Sequence, residues 1–250
     1  MRGVSWTLIP TTLLAQSDSC IGGKSSINVG GKKNIVGTFY PPDRVLIDTR
    51  FLLSLDRHDL QSGIGEMLHY LFYKDSAALT TVIANYDHLI KNPLELEPYI
   101  WECLEIKKGV IELDEHDQGE RNKFNYGHTF GHALEAATDY LIPHGLAVTV
   151  GMDLANFISM KEGHIGRNQY RKYRSLLQTN FPDYDLTTID ISFYLDCLRA
   201  DKKNINENLR CVLMKGIGKL FMAELALNER LAETIAVYFR TTSSPDLLQT

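Results

Sequence analysis

Hydrophobic and polar positions change their spacing along the chain close to residue 55. Before this point, the apolar runs 4–9 and 45–50 are short, rich in β-branched side chains and bounded by proline and polar residues. Such runs are typical of buried strands. Glycine pairs punctuate the segment between them, at 22–24 and again at 30–34. The pattern therefore predicts that residues 1–55 are part of an α/β unit.

From Asp56 onward, apolar residues recur at helical spacing. This periodicity predicts helices near residues 57–73, 75–89, 93–113, 126–140, 144–162, 166–178, 190–199 and 226–240. Residues 209–223 carry β-branched side chains around Gly216 and Gly218, which favours a hairpin there. We therefore expect a mainly α-helical domain over residues 56–240 and a weakly ordered tail over 241–250.

Composition and charge narrow the classes of function. The chain has 26 basic and 31 acidic residues, a net charge of -5, and no basic block interleaved with aromatic residues, which argues against a nucleic-acid partner. It also lacks the long apolar run of a membrane span or a secretory signal, so we expect a cytoplasmic protein without membrane association. Four scattered cysteines without a C-x-x-C spacing predict free thiols.

Two histidines one helical turn apart, His128 and His132, are the first candidates for chemistry. Their spacing suits two ligands of one metal, or one ligand beside an acid/base group, and equally two unrelated residues. His144 follows Pro143 at a predicted helix start, and Glu66 lies in an apolar turn where an unpaired carboxylate would be costly. A Glu/His/His set with an open position is the ligand pattern of a catalytic zinc site. A surface glutamate with unrelated histidines is the alternative.

Basic and amide side chains gather near the same segments. They are Lys24, Lys33, Asn34, Lys107, Arg121, Asn125, Lys202, Lys203 and Asn204. Each one alone is explained by a solvated surface position, and the glycines beside Lys24 and Lys33 are compatible with plain turns. Together they predict an anionic, oxygen-rich substrate, because carboxylates and phosphates bind to Lys and Arg partners.

Six stretches of the sequence resemble 3-dehydroquinate synthases, of the sugar phosphate cyclase superfamily, in order and spacing. They are IPTTLLAQSDSCIGGK (9–24), GKKNIVGTFYPPDRVLIDTRFL (31–52), SGIGEM (62–67), KKGVIELDEHDQGERNKFNYGHTFGHALE (107–135), HGLAVTVGM (144–152) and ADKKN (200–204). The resemblance runs through nearly the whole chain. It implies that residues 1–55 are the C-terminal part of an α/β nucleotide-binding domain and that residues 56–240 bind metal and substrate.

The resemblance also implies an activity. Members of this family use NAD and Zn²⁺ or Co²⁺ to cyclise 3-deoxy-D-arabino-heptulosonate 7-phosphate, a phosphorylated sugar acid, to 3-dehydroquinate with loss of phosphate. This reaction belongs to the shikimate pathway. By position, Glu66, His128 and His144 match the metal ligands, and His132 matches the acid/base group.

Further residues match positions of the family that contact substrate or cofactor. Those that match catalytic and substrate-binding positions are Lys24, Lys107, Arg121 and Asn125, joined by the substrate-contacting Arg2, Asp18, Asn34 and Lys203. The family's positions that border NAD are matched by Thr11, Thr12, Lys24, Lys33, Phe51, Leu52, Leu53 and Ser54. The family's counterpart of Arg2 reaches the substrate of a neighbouring subunit, which implies a homodimer.

The sequence departs from the family pattern at two positions and at its start. His69 replaces a substrate-binding lysine, which weakens anion binding at neutral pH, and Leu146 replaces the glutamate of an H-G-E segment. Met1 aligns with an interior position of the family's chains. We therefore expect most of the family's N-terminal nucleotide-binding domain, with its glycine-rich turn, to be missing from this sequence.

Two alternative functions stay open. Cyclases that make inososes or valiolones share the scaffold and the metal triad, although Arg121, Asn125 and residues 201–204 follow the carboxylate-binding pattern of dehydroquinate synthases. The other alternative is an inactive metal-binding remnant, since most of the NAD pocket would be absent. Iron-type alcohol dehydrogenases share the architecture, but the I-P-T-T and G-G-K loops fit them poorly.

Overall fold

Short strands in the N-terminal segment form two separate two-stranded sheets in this computed structural model, which describes residues 3–29, 32–115, 118–200 and 208–242. Strands β1 (Thr7–Leu8) and β4 (Arg44–Val45) pair in parallel, with Leu8 opposite Val45. Strands β2 (Lys24–Val29) and β3 (Lys32–Phe39) form an antiparallel hairpin. The parallel pair followed by a helical domain confirms the predicted fold class, and the domain boundaries stay predictions.

Helices make up most of the described chain after residue 56. They are α1 (Arg57–Lys74), α2 (Ala77–Ala84), α3 (Tyr86–Lys91), α4 (Glu97–Leu113), α5 (His128–Ala137), α6 (His144–Lys161), α7 (Arg167–Leu177), α8 (Ile191–Arg199) and α9 (Glu229–Thr241). Strands β5 (Asn208–Met214) and β6 (Leu220–Ala226) form an antiparallel hairpin between α8 and α9, as the sequence predicted. Among the described residues, no helix combines the length and the apolar content needed to cross a membrane.

Helix predictions were accurate where the apolar stripe is long and uninterrupted. The predicted helix 144–162 is α6 almost to the residue, whereas the single helix predicted over 75–89 is wrong. Asn85 breaks it, because its φ of -108° and ψ of 17° leave the helical region, and α2 and α3 form instead.

Strand predictions near the N-terminus were largely wrong. Two residues of the predicted run 4–9, Thr7 and Leu8, and only Val45 of the run 45–50 pair in a sheet. Residues Thr49–Ser54 form a 3₁₀ turn instead, which the Asp48 carboxylate caps by accepting a hydrogen bond from the Arg50 backbone N–H at 3.0 Å. The glycine-punctuated segment, predicted as loops, forms the β2–β3 hairpin.

Helix α6 is the central helix of the fold. Residues 145–159 of this helix are all buried, so it has no solvent-facing side over four turns. Glycines let the neighbouring helices approach it closely. A side-chain carbon on Gly65 of α1 would lie 2.1 Å from the Gly145 carbonyl oxygen, and one on Gly151 would lie 2.1 Å from the Gly127 carbonyl oxygen. These contacts bring α1 and the start of α5 against the N-terminal half of α6.

A buried polar network connects the middle of α6 to α7 and α9. The Asp153 carboxylate accepts hydrogen bonds from Arg174 and, at 2.8 Å, from the Tyr238 hydroxyl. Asp153 is fully buried and Arg174 nearly so. Buried charges need such partners, and this network therefore stabilises the packing of three helices around the core.

Candidate metal and substrate site

Glu66, His128 and His144 meet where the three central helices converge. Glu66 lies in the middle of α1, and the histidines are the first residues of α5 and α6. The Nε2 atoms of His128 and His144 lie 3.4 Å and 3.6 Å from the two oxygens of the Glu66 carboxylate. One ligand atom from each residue lies within 4.8 Å of the other two. The structure thus brings together the three side chains predicted to bind a metal.

The chemistry of this cluster fits a divalent metal such as Zn²⁺. Two ligands bound tetrahedrally at zinc–ligand distances of about 2.0–2.2 Å are separated by about 3.3–3.6 Å, which matches the nitrogen–oxygen distances here. Glu66 is buried, and its Oε2 has no hydrogen-bond partner among the described residues. A buried carboxylate oxygen without a partner is costly, so a cation would complete this site.

Electrostatics keep Glu66 ionised. Burial would raise the pKa of this carboxyl group, but the nearby His128 and His69 imidazoles outweigh burial and hold the pKa below its ordinary value. His128 is oriented by its other nitrogen, because Nδ1 lies 3.3 Å from the Tyr126 carbonyl oxygen and leaves Nε2 toward Glu66. Neutral imidazole nitrogens and an anionic oxygen are the donor set that zinc prefers.

His132 lies one turn along α5 from His128, beside the cluster. Its ring centroid is 5.6 Å from that of His128 and 5.5 Å from that of His144. Its ring is half-buried. An imidazole at such a position can exchange a proton with a molecule bound at the metal ligands, and this placement is the one expected of the predicted acid/base group.

Glu135 is part of the site but was missed by the sequence analysis. Oε2 of this buried carboxylate lies within hydrogen-bond distance of Nδ1 of His144, at 3.0 Å. The signal in the sequence was its position three residues after His132, on the same side of an amphipathic helix whose other buried residues are apolar or small. A lone acid on the buried face of a helix was therefore a detectable candidate.

His69 is the most unusual group near the cluster. It is 1% exposed, and neither ring nitrogen has a hydrogen-bond partner among the described residues. Burial lowers its pKa to about 4, although Glu66, whose Oε1 lies 3.5 Å from Nδ1, opposes this effect. His69 is consequently neutral at pH 7 and adds no positive charge to the site. Leu146, the other departure from the family pattern, is buried in the core on α6.

Lys107, which was predicted to bind substrate, forms an ion pair with Asp18. Its Nζ donates to the Asp18 carbonyl oxygen at 2.6 Å and to the Asp18 carboxylate at 2.8 Å. The Tyr70 hydroxyl also donates to this carboxylate. Burial and the Asp18 charge raise the pKa of Tyr70, which keeps its hydroxyl protonated. The ring centroids of Tyr70 and His69 lie 3.9 Å apart. A chain of contacts through Asp18 and Tyr70 thus connects Lys107 to His69, beside the Glu66 cluster.

Arg121 and Asn125 lie at the two ends of one 3₁₀ turn, Glu120–Asn125. Arg121 is nearly buried, and its Nη1 donates to the Glu115 carbonyl oxygen at 2.7 Å. Gly22 lies against it: with φ of 103°, a side-chain carbon there would be 2.7 Å from Arg121 Nη2. The glycine turn before β2 thus leaves room for the guanidinium group.

Other predicted site residues lie at varied positions. Lys24 begins β2 and is exposed, as are Thr11, Thr12, Phe51, Leu53 and Ser54. The Leu52 side chain is fully buried in the core, so only its backbone is available to a cofactor. Lys33 and Asn34 lie on β3, but their side chains, together with Arg2 and Lys203, lie outside the described residues. The homodimer implied through Arg2 stays a prediction.

Comparison with known proteins places the chain in a family. Residues 1–62 match the family described as 3-dehydroquinate synthase N-terminal, and residues 63–204 match that described as 3-dehydroquinate synthase C-terminal. The chain belongs to the 3-dehydroquinate synthase family. The resemblance inferred from the six stretches is thereby confirmed.

Relatives in this family are longer than the chain. The 3-dehydroquinate synthase of Clostridium perfringens (strain 13 / Type A) is 37% identical over 222 residues, which cover 88% of this chain and 63% of the relative. That of Helicobacter pylori (strain P12) is 36% identical over 225 residues, which cover 89% of this chain and 64% of the relative. The chain therefore spans less than two thirds of the length of these relatives.

Solved structures of related cyclases share the fold. A 2-deoxy-scyllo-inosose synthase, complexed with carbaglucose-6-phosphate, NAD⁺ and Co²⁺, superposes with a TM-score of 0.80 at 26% identity, covering 96% of this chain and 67% of that one. The 2-epi-5-epi-valiolone synthase of Streptomyces hygroscopicus subsp. jinggangensis 5008, solved with NAD⁺ and Zn²⁺, gives a TM-score of 0.84 at 22% identity, covering 97% and 68%.

Proposed function

We propose that this chain carries the metal- and substrate-binding part of a 3-dehydroquinate synthase. The reaction would be the NAD- and metal-dependent cyclisation of 3-deoxy-D-arabino-heptulosonate 7-phosphate to 3-dehydroquinate with loss of phosphate. One observation carries the proposal: Glu66, His128 and His144 form a partly buried three-ligand cluster with His132 beside it. The curated relatives, named 3-dehydroquinate synthase, support this assignment over 88–89% of the chain.

Residues of this chain would divide the work between binding and proton transfer. A bound divalent ion would supply Lewis acidity toward substrate hydroxyls, and bound NAD would supply a hydride acceptor. His132 would take and return protons next to the ligand cluster. Lys107 and Arg121 would hold the anionic groups of the substrate, because both cations are fixed by partly buried hydrogen bonds before substrate arrives. Asp18 would keep Lys107 oriented.

A related cyclase activity on a sugar phosphate without a carboxylate is the second candidate. The neutral, buried His69 supports it, since a substrate carboxylate gains no charge partner from this side chain. The 26% identical inosose synthase also belongs to such a class, as its complex with carbaglucose-6-phosphate indicates. The two candidates differ in substrate, and phosphate release from each sugar phosphate separates them.

Metal content and phosphate release together test the proposal. The purified chain, supplied with Zn²⁺ and NAD, should bind one ion and release phosphate from the heptulosonate phosphate faster than from glucose 6-phosphate. Glu66→Gln and His128→Ala should lose the ion, while His132→Ala should keep the ion and lose phosphate release. His58→Ala, at an exposed position on α1, is the matched control and should change neither.

Each contrary result has a distinct meaning. Faster release of phosphate from glucose 6-phosphate would favour the second candidate. Bound metal without phosphate release from either substrate would contradict both enzymatic functions and leave a metal-binding remnant. A folded chain that binds no ion would contradict the ligand assignment itself.

A further inference from the structure

Glu135 contacts one of the proposed metal ligands and has no role in the function proposed above. We propose that Glu135 is a positioning residue for His144: its carboxylate fixes the tautomer and the ring orientation that direct Nε2 of His144 toward Glu66. The inference rests on the proposed metal site and deepens it. It predicts that Glu135 strengthens metal binding without itself contacting the ion.

Geometry at His144 assigns opposite roles to its two ring nitrogens. Nδ1 lies 3.0 Å from Glu135 Oε2, and Nε2 lies 3.6 Å from Glu66 Oε2. A neutral imidazole carries its proton on one nitrogen and a lone pair on the other. With the proton on Nδ1, donated to Glu135, the lone pair on Nε2 faces the ligand cluster. A carboxylate behind a metal-binding histidine also increases the basicity of the ring.

The chain between Glu135 and His144 holds this pair together. After α5 ends, Asp139 and Tyr140 adopt left-handed conformations with φ of 49° and 60°, which reverse the chain toward α6. The Tyr140 backbone N–H donates to the Glu135 carbonyl oxygen at 2.7 Å. Non-glycine residues adopt this conformation only at an energetic cost, so the surrounding packing must hold it. The tight turn therefore places His144, at the first position of α6, opposite the Glu135 side chain.

Direct metal binding by Glu135 is the competing interpretation. Ligand atoms of His132, Glu135 and His144 also lie within 4.8 Å of one another. However, the 3.0 Å between Glu135 and His144 is the length of an N–H···O hydrogen bond and is shorter than the separation of about 3.3–3.6 Å between two tetrahedral zinc ligands. The contact thus favours a hydrogen bond, and His132 stays outside the ligand set.

Burial makes the Glu135 contact effective. Glu135 is 3% exposed, whereas the His144 side chain is 31% exposed and therefore needs a partner to hold one orientation. His128, the other histidine of the cluster, is oriented differently, by a longer contact of 3.3 Å to the Tyr126 carbonyl oxygen. The two histidines should consequently differ in how strongly a neighbouring side chain controls them.

Cobalt affinity measures the proposed role without relying on turnover. Co²⁺ bound to the full chain would be followed by its visible absorption and by competition with a chelator. Glu135→Gln, which keeps an acceptor but removes the charge, should weaken Co²⁺ binding about tenfold, and Glu135→Leu about a hundredfold. Both variants should also change the absorption band of the bound ion. His132→Ala should leave the affinity unchanged.

Glu95→Gln and Glu95→Leu are the matched controls. The Glu95 carboxylate also contacts a histidine, with His88 Nε2 3.0 Å from its Oε2, but on an exposed part of the molecule. These variants should bind Co²⁺ as the wild-type chain does. Affinity equal to the controls in both Glu135 variants would overturn the proposal, and so would an equal loss in His132→Ala and Glu135→Leu, which would favour direct metal binding.

A double-mutant cycle distinguishes positioning from a general loss of structure. If Glu135 acts through His144, Glu135→Leu should cause no further loss of Co²⁺ affinity in a His144→Ala background. The same hundredfold loss in both backgrounds would contradict the proposal. Failure of the wild-type chain to bind Co²⁺ would contradict this inference together with the ligand assignment. Co²⁺ binding without phosphate release would contradict the proposed enzymatic function alone.

Discussion

Mild acid should destabilise the metal-free protein through His69. Burial lowers the pKa of this imidazole from an ordinary value of 6.5 to about 4, with Glu66 opposing and His128 reinforcing the shift. The unfolded chain therefore takes up a proton at a pH where the folded chain does not. This contribution to stability is fully present above pH 6.5 and is lost as the pH falls toward 4. Because His69 is 1% exposed, solvent screening removes little of the effect.

Linkage gives the size of the His69 effect. Each pKa unit corresponds to about 1.4 kcal/mol, and integration from pH 7 to pH 5 gives a loss of about 2 kcal/mol from this group alone. Urea unfolding at pH 7, 6 and 5, after removal of metal by a chelator, would measure it in the wild-type chain and in His69→Leu. Leucine fills a similar volume and does not titrate. Parallel loss of stability in the two proteins would refute the reasoning.

Two further predictions concern packing and buried charge. Gly145→Ala should lower the free energy of unfolding by about 2–3 kcal/mol and weaken metal binding, because its new methyl group would lie 1.8 Å from the Ser62 carbonyl oxygen and force α1 from α6. Gly109→Ala is its control: apart from the adjacent backbone of α4, no atom of the described residues lies within 4 Å of the new methyl group, and the free energy of unfolding should rise by about 0.5–1 kcal/mol in urea unfolding. Asp153→Asn removes the charge partner of the buried Arg174 and should cost about 3 kcal/mol by the same measurement, with metal affinity unchanged in the folded fraction.

Helices could be predicted from the sequence because their signal is local. The apolar stripe of α7 and its polar outer face recur with a fixed period, so pattern alone located this helix within a residue at each end. The β2–β3 hairpin gave no comparable signal. Ile27 and Val36 are paired across it, yet they are 63% and 54% exposed. Because these apolar residues are exposed, the hairpin lacks the buried face that would give its sequence an alternating apolar and polar pattern.

The candidate metal-binding residues could be predicted from the sequence, but the residues that contact and orient the site could not. Glu66 and His128 carry chemistry that sequence reasoning recognises, and the structure brings them within 3.4 Å. Tyr70 and Glu135 were missed, because their importance depends on which side chains face them across other helices. Tyr70 contacts Asp18, from the start of the chain, and no spacing rule relates two residues that distant in sequence.

In the proposed metal site, binding of an ion would be coupled to folding through Glu66. Its carboxylate is almost fully buried, and His69, His128 and His144 each place a nitrogen 3.4–3.6 Å from one of its oxygens. Three imidazoles in a low-dielectric interior cannot all be protonated, because burial and mutual repulsion keep at least His69 neutral at pH 7. Without a cation, the ionised carboxylate would lack full compensation for its lost hydration. The arrangement that fits the cluster to a metal would therefore also make the surrounding helices depend on the ion for part of their stability.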